Sequence, residues 1–349
     1  MERETGGPFP MTHEDESRRN FFRNLFGGAM AAAAAQQALA QQSGSTGLPT
    51  RKLGRTNEQV SILCLGGWHI GAVENKNEAI KIMHAAVDEG LTFFDSCWDY
   101  QMGGSEEIIG RALSQGGKRD KVFLMTKNCN RDYEGSKKCL DDSLRRLKTD
   151  RLDLWQFHEM VYDNDPDWVF EKGGLKAALE AQKAGKVRYI GFTGHKDPRI
   201  HLKMLDKPYD WATAQMPINI HDAHYRSFQK NVVPVCLNKN VGVIGMKSLG
   251  GGPSAGKGRI PTETDLTHDQ CRRYALSMPV STLVVGIMTM DELKAEVAIA
   301  RNFKPLSDPE KEKLVSSAAA VAGDGRHELF KSTQTYDGPY HREQHGFAV

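Results

Sequence analysis

Short apolar runs alternate with amphipathic runs eight times along this chain, and that alternation limits the fold more than any other feature. Strand-like runs fall near 61–66, 92–95, 122–127, 152–157, 187–192, 211–216, 241–246 and 282–286. Helical runs fall near 76–89, 105–115, 136–147, 171–184, 197–205, 225–239, 267–277 and 290–300. In the first of these, Ala79, Ile80, Met83, Ala86 and Val87 recur at intervals of three and four, which puts them on one helical face. Gly90 is able to end that helix in a left-handed conformation, and Ser105 is placed to cap the next. Strands joined through helices pair in parallel, and a period of roughly 30 residues repeated eight times predicts a closed (β/α)8 barrel of the TIM type. An open doubly wound sheet would carry Gly-x-Gly-x-x-Gly after its first strand. Here the first strand runs into Leu65-Gly66-Gly67-Trp68-His69-Ile70-Gly71, which lacks that spacing. Residues 51–60, with Gly54 and Asn57, suit a small hairpin closing the barrel floor.

Three successive strands end on residues that carry chemistry. Thr92-Phe93-Phe94 stops at Asp95, with Tyr100 five residues on. Val122 to Thr126 stops at Lys127, and Leu152 to Phe157 stops at His158. In a parallel barrel all strand C-termini share one rim, and that rim holds the active site. Asp95, Tyr100, Lys127 and His158, in this order and each at or just past a strand end, resemble the catalytic tetrad of the aldo-keto reductases. The resemblance runs from about Leu48 to about Ala300.

It implies hydride transfer between a nicotinamide cofactor, NADP or NAD, and an aldehyde, ketone or sugar carbonyl or alcohol. Tyr100 would be the general acid or base. A phenol has an ordinary pKa of about 10, so Lys127 is expected to lower it, with Asp95 compensating the buried ammonium. His158 would donate a hydrogen bond that aims the carbonyl, and Trp68 and Trp98 would wall the substrate site. Two departures stand out. Ser96-Cys97 follows the aspartate where Thr-Ala is common, and Tyr100-Gln101-Met102-Gly103-Gly104-Ser105-Glu106 is two residues longer than the usual Tyr-Gly-x-Ser-Glu.

By the same resemblance the cofactor would lie across the barrel mouth. Gly67, Trp68 and Asp95 would meet it near the first two strands. Thr193, Gly194 (where asparagine is usual) and Gln215 would hold its carboxamide. Met246, Lys247, Ser248, Leu249 and Gly251 would follow its pyrophosphate, since glycines let backbone N–H groups approach phosphate closely. Gly286 and Glu292 would meet its adenosine end. Relatives often carry Lys, Ser or Arg for a 2′-phosphate in that last turn, whereas this chain has Met288 to Glu292. NADP is therefore not strongly favoured, and NAD is tolerated or preferred. The competing expectation is a regulatory or partner subunit that keeps the barrel and the cofactor without turnover. A lyase or metal-dependent isomerase is a third, disfavoured because no carboxylate and histidine metal set appears at the strand ends.

Composition adds exclusions. The net charge of +2, from 46 basic and 44 acidic residues, gives no electrostatic case for nucleic acid. The body has no run long and apolar enough to span a membrane. None of the six cysteines forms a Cys-x-x-Cys pair, and His221 and His224 have no convincing third ligand, so no metal site is expected. Trp68, His69, Trp98, Tyr133, His195, His221 and His224 fall in or near predicted βα loops, where aromatic walls would suit a small carbonyl or alcohol substrate.

The first forty residues look like an address. Ser17-Arg18-Arg19-Asn20-Phe21-Phe22-Arg23 resembles a twin-arginine export signal; an apolar run from Leu25 to Ala35 and Ala38-Leu39-Ala40 follow it in the right order. The expected organisation is a signal over 1–40, a linker over 41–47, the barrel over 48–322 and a C-terminal segment over 323–349 that either borders the substrate pocket or hangs as a loose tail. The expected partner is the twin-arginine machinery, and the expected location is the periplasm or another extracytoplasmic space. Folding before export also suits six scattered thiols.

Overall fold

Eight parallel strands close on themselves in the computed structural model, which describes residues 47–252 and 257–348. The proposed export signal and nearly all of the linker lie outside those residues. An antiparallel hairpin comes first, β1 (Thr50–Lys52) with β2 (Gln59–Ser61), pairing Thr50 with Ser61. The barrel strands follow as β3 (Leu63–Gly66), β4 (Phe93–Asp95), β5 (Phe123–Asn128), β6 (Leu152–Phe157), β7 (Val187–Thr193), β8 (Thr213–Pro217), β9 (Gly242–Met246) and β10 (Thr282–Val285). Each pairs with its neighbours in sequence, and β10 returns to β3 with Val285 opposite Leu65.

The hairpin plugs the end of the barrel opposite the strand C-termini. Its turn residue Gly54, in the left-handed region at φ 52°, lies so close to the start of β9 that a Cβ there would sit 2.1 Å from the Gly242 amide nitrogen. Leu53 and Val60 of the hairpin pack with Cys64, Phe93, Phe123, Met125, Leu154 and Ile244, the apolar filling of the barrel interior. A larger apolar layer lies between the sheet and the helices around it. This is the arrangement a parallel sheet requires, because both of its faces must be covered. Helix starts follow local chemistry: Asn75 accepts from Asn77 N and Glu78 N, and Thr289 forms a reciprocal capping box with Glu292. Among the described residues no helix is long and apolar enough to cross a membrane.

Beyond the eighth barrel helix (Met290–Arg301), a further helix spans Asp308–Ala322. Residues 323–348 then fold back over the rim formed by the strand C-termini. This strap meets the loops after five successive strands. Asn130 donates to Tyr340 Oη at 2.8 Å, Tyr162 Oη to Asp337 at 2.9 Å, and Gly338 N to Glu159 at 3.0 Å. His195 lies 3.6 Å from Asp337, Asn219 donates to Glu328 at 2.8 Å, and Gly252 N donates to Tyr336 Oη at 3.1 Å. Phe330 and Glu328 of the strap are fully buried. The C-terminal segment is thus part of the mouth.

Candidate active site

β4, β5 and β6 bring Asp95, Lys127 and His158 to the rim side by side, with Tyr100 on the loop after β4. Lys127 Nζ forms a short ion pair with Asp95, donates to Ser96 O at 2.6 Å, and lies 3.4 Å from Tyr100 Oη. The Tyr100 ring stands edge-on to His158 with centroids 5.6 Å apart, and edge-on to Trp68 at 5.3 Å. The structure therefore gathers all four groups at one spot. The two-residue extension of the Tyr100 loop is accommodated by three consecutive residues with positive φ, Gln101, Met102 and Gly103. Gln101 Nε2 anchors that turn on Trp68 O at 3.0 Å, and the Met102 side chain is left in solvent.

Electrostatics correct one expectation. Tyr100 is held well above its usual range, not below it. Burial is the main cause, and the charges of Asp95, Cys97, Asp99 and Glu159 add to it. Lys127 does not reverse this, because its charge is already matched by Asp95. His158 is driven well below its usual value, first by burial and then by His341 and Lys127. At neutral pH the site holds a protonated phenol and a neutral imidazole.

Around these residues lies a cleft of about 1220 Å3, large enough for a dinucleotide together with a small substrate. Trp68, Asp95, Trp98, Thr193, Gly194, Gln215, Met246, Lys247, Ser248, Leu249, Gly251, Gly286 and Glu292 all line it. Gly67 is not among the lining residues. A Cβ on Gly67 would lie 2.3 Å from Asp95 O, so glycine there permits close packing while its neighbour Gly66 faces the cleft. Gly194 is explained in the same way. A side chain would meet Met160 O at 2.3 Å, which leaves no room for the asparagine usual in relatives. Tyr133, His221 and His224 lie away from the cleft: Tyr133 Oη binds Glu180, His221 stacks near His327, and His224 contacts Val315 O.

The polar lining fits a nicotinamide dinucleotide. Gln215 is 1% exposed, its Oε1 has no hydrogen-bond partner, and its Nε2 lies 3.6 Å from Met246 Sδ and also reaches the Asp95 carboxylate. A buried amide left unsatisfied at this rim is suited to a carboxamide ligand. Lys247 faces the cleft, its ammonium pushed down to about 8 chiefly by burial.

The sequence left the C-terminal segment open between pocket border and tail, and it gave no signal for other lining residues. Tyr336 to Tyr340 reach the cleft only because the strap folds back. Glu159 follows His158 in a left-handed backbone at φ 47° and is buried under Gly338. Cys97, Asp99 and Cys129 surround His158 Nδ1 although no local spacing links them.

Residues 62–272 match the family model described as the aldo/keto reductase family. The chain belongs to the aldo/keto reductase family. It is a nicotinamide-dependent oxidoreductase of that type. Among curated proteins it is similar to the uncharacterized oxidoreductase YrpG of Bacillus subtilis, at 31% identity over 59% of this chain and 68% of that protein. It is also similar to the aldo-keto reductase yakc [NADP(+)] of Schizosaccharomyces pombe, at 28% identity over 74% of this chain and 77% of that protein. The solved aldo-keto reductase AKR11C1 from Bacillus halodurans shares the fold, with a TM-score of 0.65 and 24% identity over 80% of this chain and 99% of that one.

Proposed function

We propose that this protein interconverts a small aldehyde, ketone or sugar carbonyl with its alcohol, with Tyr100 as the proton donor and acceptor. The observation that carries the reading is the convergence of Tyr100, Lys127, Asp95 and His158 beside the unsatisfied amide of Gln215. The dinucleotide, when bound, supplies or accepts the hydride. Tyr100 is protonated at neutral pH, so it can deliver a proton to the carbonyl oxygen. Lys127 and Asp95 fix the phenol and keep a positive charge within reach of the phenolate that remains. His158, neutral, can donate a ring N–H to the same oxygen. Trp68, half exposed, and Trp98 form apolar walls for the substrate.

Thr193 and Gln215 would take the carboxamide, and Lys247 and Ser248 the phosphates. The name of the yeast relative carries NADP(+), which supports a nicotinamide dinucleotide here. The adenosine end favours NAD in this chain. Glu292 presents a carboxylate to the cleft, and Arg272 spends its guanidinium on Glu296 and Ser248. A 2′-phosphate would face repulsion there, whereas a ribose hydroxyl would find acceptors.

Tyr100→Phe tests the central role. Turnover of aldehydes and sugars should fall by roughly 100- to 10,000-fold while the dinucleotide dissociation constant stays within about twofold. Retained turnover would refute the assignment. The export reading of residues 17–40 rests on sequence, and replacing Arg18 and Arg19 with lysine, followed by cell fractionation, tests it.

A further inference from the structure

Four side chains with metal-ligand chemistry meet behind His158. Cys97 and Asp99 come from the loop after β4, Cys129 from the residue after β5, and His158 from the residue after β6. One ligand atom from each lies within 4.8 Å of all the others. The two Sγ atoms are 3.5 Å apart. His158 Nδ1 is 3.1 Å from Cys97 Sγ, 3.5 Å from Cys129 Sγ and 3.7 Å from Asp99 Oδ1. A tetrahedral zinc ion with bonds of about 2.3 Å to sulfur and about 2.0–2.2 Å to nitrogen and oxygen has edges of roughly 3.3–3.8 Å. Three of these four edges, at 3.5, 3.5 and 3.7 Å, fall inside that range, and the fourth, at 3.1 Å, is slightly shorter.

Three further observations point to a ligand. Both cysteines are fully buried and both are free thiols. Asp99 Oδ1 is buried and makes no well-formed hydrogen bond; its polar neighbours are the thiols of Cys97 and Cys129 and the His158 ring, the other members of the set. The backbone under the ligands is also fixed by ladder bonds that continue past the strands. Ser96 N donates to Met125 O at 2.9 Å, and His158 N to Asn128 O at 2.8 Å. The donor set is therefore held in place before any ion arrives.

We infer that Cys97, Asp99, Cys129 and His158 form a tetrahedral site for zinc, or another thiophilic divalent cation, at the barrel rim. Two thiolates and one carboxylate around a divalent cation leave one net negative charge. Arg131, which donates to His158 O at 2.8 Å, and Lys127 stand nearby, each also paired with a carboxylate, Asp165 and Asp95 respectively. Binding releases the two thiol protons to solvent and changes no oxidation state. All four positions are protein side chains, so the ion is structural and keeps no open position for water. Its effect on the reaction would be indirect. Ligation through Nδ1 places the His158 proton on Nε2, on the opposite side of the ring, and holds that tautomer. The strap adds His341, whose Nε2 lies 3.4 Å from the same Nδ1, so the site sits directly beneath the roof.

The test uses the full chain, purified without chelators or a metal-affinity step after growth with added zinc chloride. Elemental analysis should find about one zinc per chain. The Cys97→Ser/Cys129→Ser double variant should retain less than about a tenth of it. Asp99→Asn guards against a cysteine variant that fails to fold, and should weaken zinc retention against a competing chelator by at least about tenfold. Replacing zinc with cobalt(II) should give a sulfur-to-metal charge-transfer band and the intense visible bands of a tetrahedral ion. Metal well below stoichiometric, metal retained in the double variant, or a Cys97–Cys129 disulfide in the protein as isolated would each overturn the site. None of these readouts depends on turnover, so the site stands or falls separately from the oxidoreductase chemistry.

Discussion

Lys331→Met separates the roof of the mouth from the barrel. The Lys331 side chain is 0% exposed. Its ammonium donates to Asp222 at 2.6 Å, to Tyr225 O at 2.9 Å and to Glu328 at 2.9 Å. Methionine keeps much of the volume and removes the charge, leaving Asp222 and Glu328 as neighbouring buried carboxylates. Asp222 retains its bonds from Ser227 Oγ, Phe228 N and Gln229 N, so the barrel wall keeps its own order. Removing one member of a buried charge pair costs about 3–5 kcal/mol. The strap's buried Phe330 belongs to neither apolar core of the barrel, so releasing the strap is the cheaper relaxation. A change of about 4 kcal/mol shifts the docking equilibrium by roughly 1,000-fold.

Limited proteolysis tracks the population of the open form. Cleavage within residues 323–349 should rise by a few hundredfold, and KM should rise with it. The barrel melting transition followed by far-UV circular dichroism should move little. The pH dependence is also determined. Burial raises the Glu328 carboxyl above its usual range, and losing the ammonium raises it further. The docked state then binds a proton that the released state gives up, so docking strengthens as pH falls through that raised value. Unchanged proteolysis and KM, or a barrel that melts together with the strap, would refute this account.

Three other outcomes are expected. Gln215→Leu should weaken dinucleotide binding by about 5- to 30-fold in calorimetry, because it removes the unpaired buried Oε1 that faces the ligand. Glu292→Gln should improve the NADP dissociation constant relative to that of NAD by roughly 3- to 10-fold; an unchanged ratio would move the discriminating charge elsewhere. Lys247 loses its proton near pH 8 in the folded protein, against 10.5 for an ordinary lysine, chiefly because it is buried, with Glu159, Lys127 and Asp95 as the charges that also act on it. Between those values the unfolded chain binds more protons, so stability should rise with pH. Dinucleotide affinity measured by fluorescence titration should fall over the same interval as the ammonium is lost.

The barrel was legible because its signal is local and repeated. Each apolar run and each helical face could be read within a dozen residues, and strand-end residues such as Asp95, Lys127 and His158 inherit their position from the period. The direction of the Tyr100 shift was not legible, because it depends on how deeply the ring is buried and on carboxylates at the ends of β4 and β6. Gly67 and Gly194 were read as cofactor contacts. Gly67 instead admits a neighbouring backbone, and Gly194, which does line the cleft, is also pressed by Met160 O; a glycine looks the same in sequence in either case. The cysteine, aspartate and histidine cluster was invisible for a similar reason. Its members stand up to 61 residues apart, and only the side-by-side pairing of β4, β5 and β6 joins them.

The roof also sets an order of events for the newly made chain. Several of its hydrogen bonds join residues far apart in the chain, 175 positions for Tyr162 with Asp337 and 210 for Asn130 with Tyr340. Contacts of such range bear the largest loop-closure entropy and form only after the intervening structure shortens the path. Refolding from denaturant should restore helix and sheet signals first and a competent mouth later, with a lag in turnover that secondary-structure spectroscopy does not see.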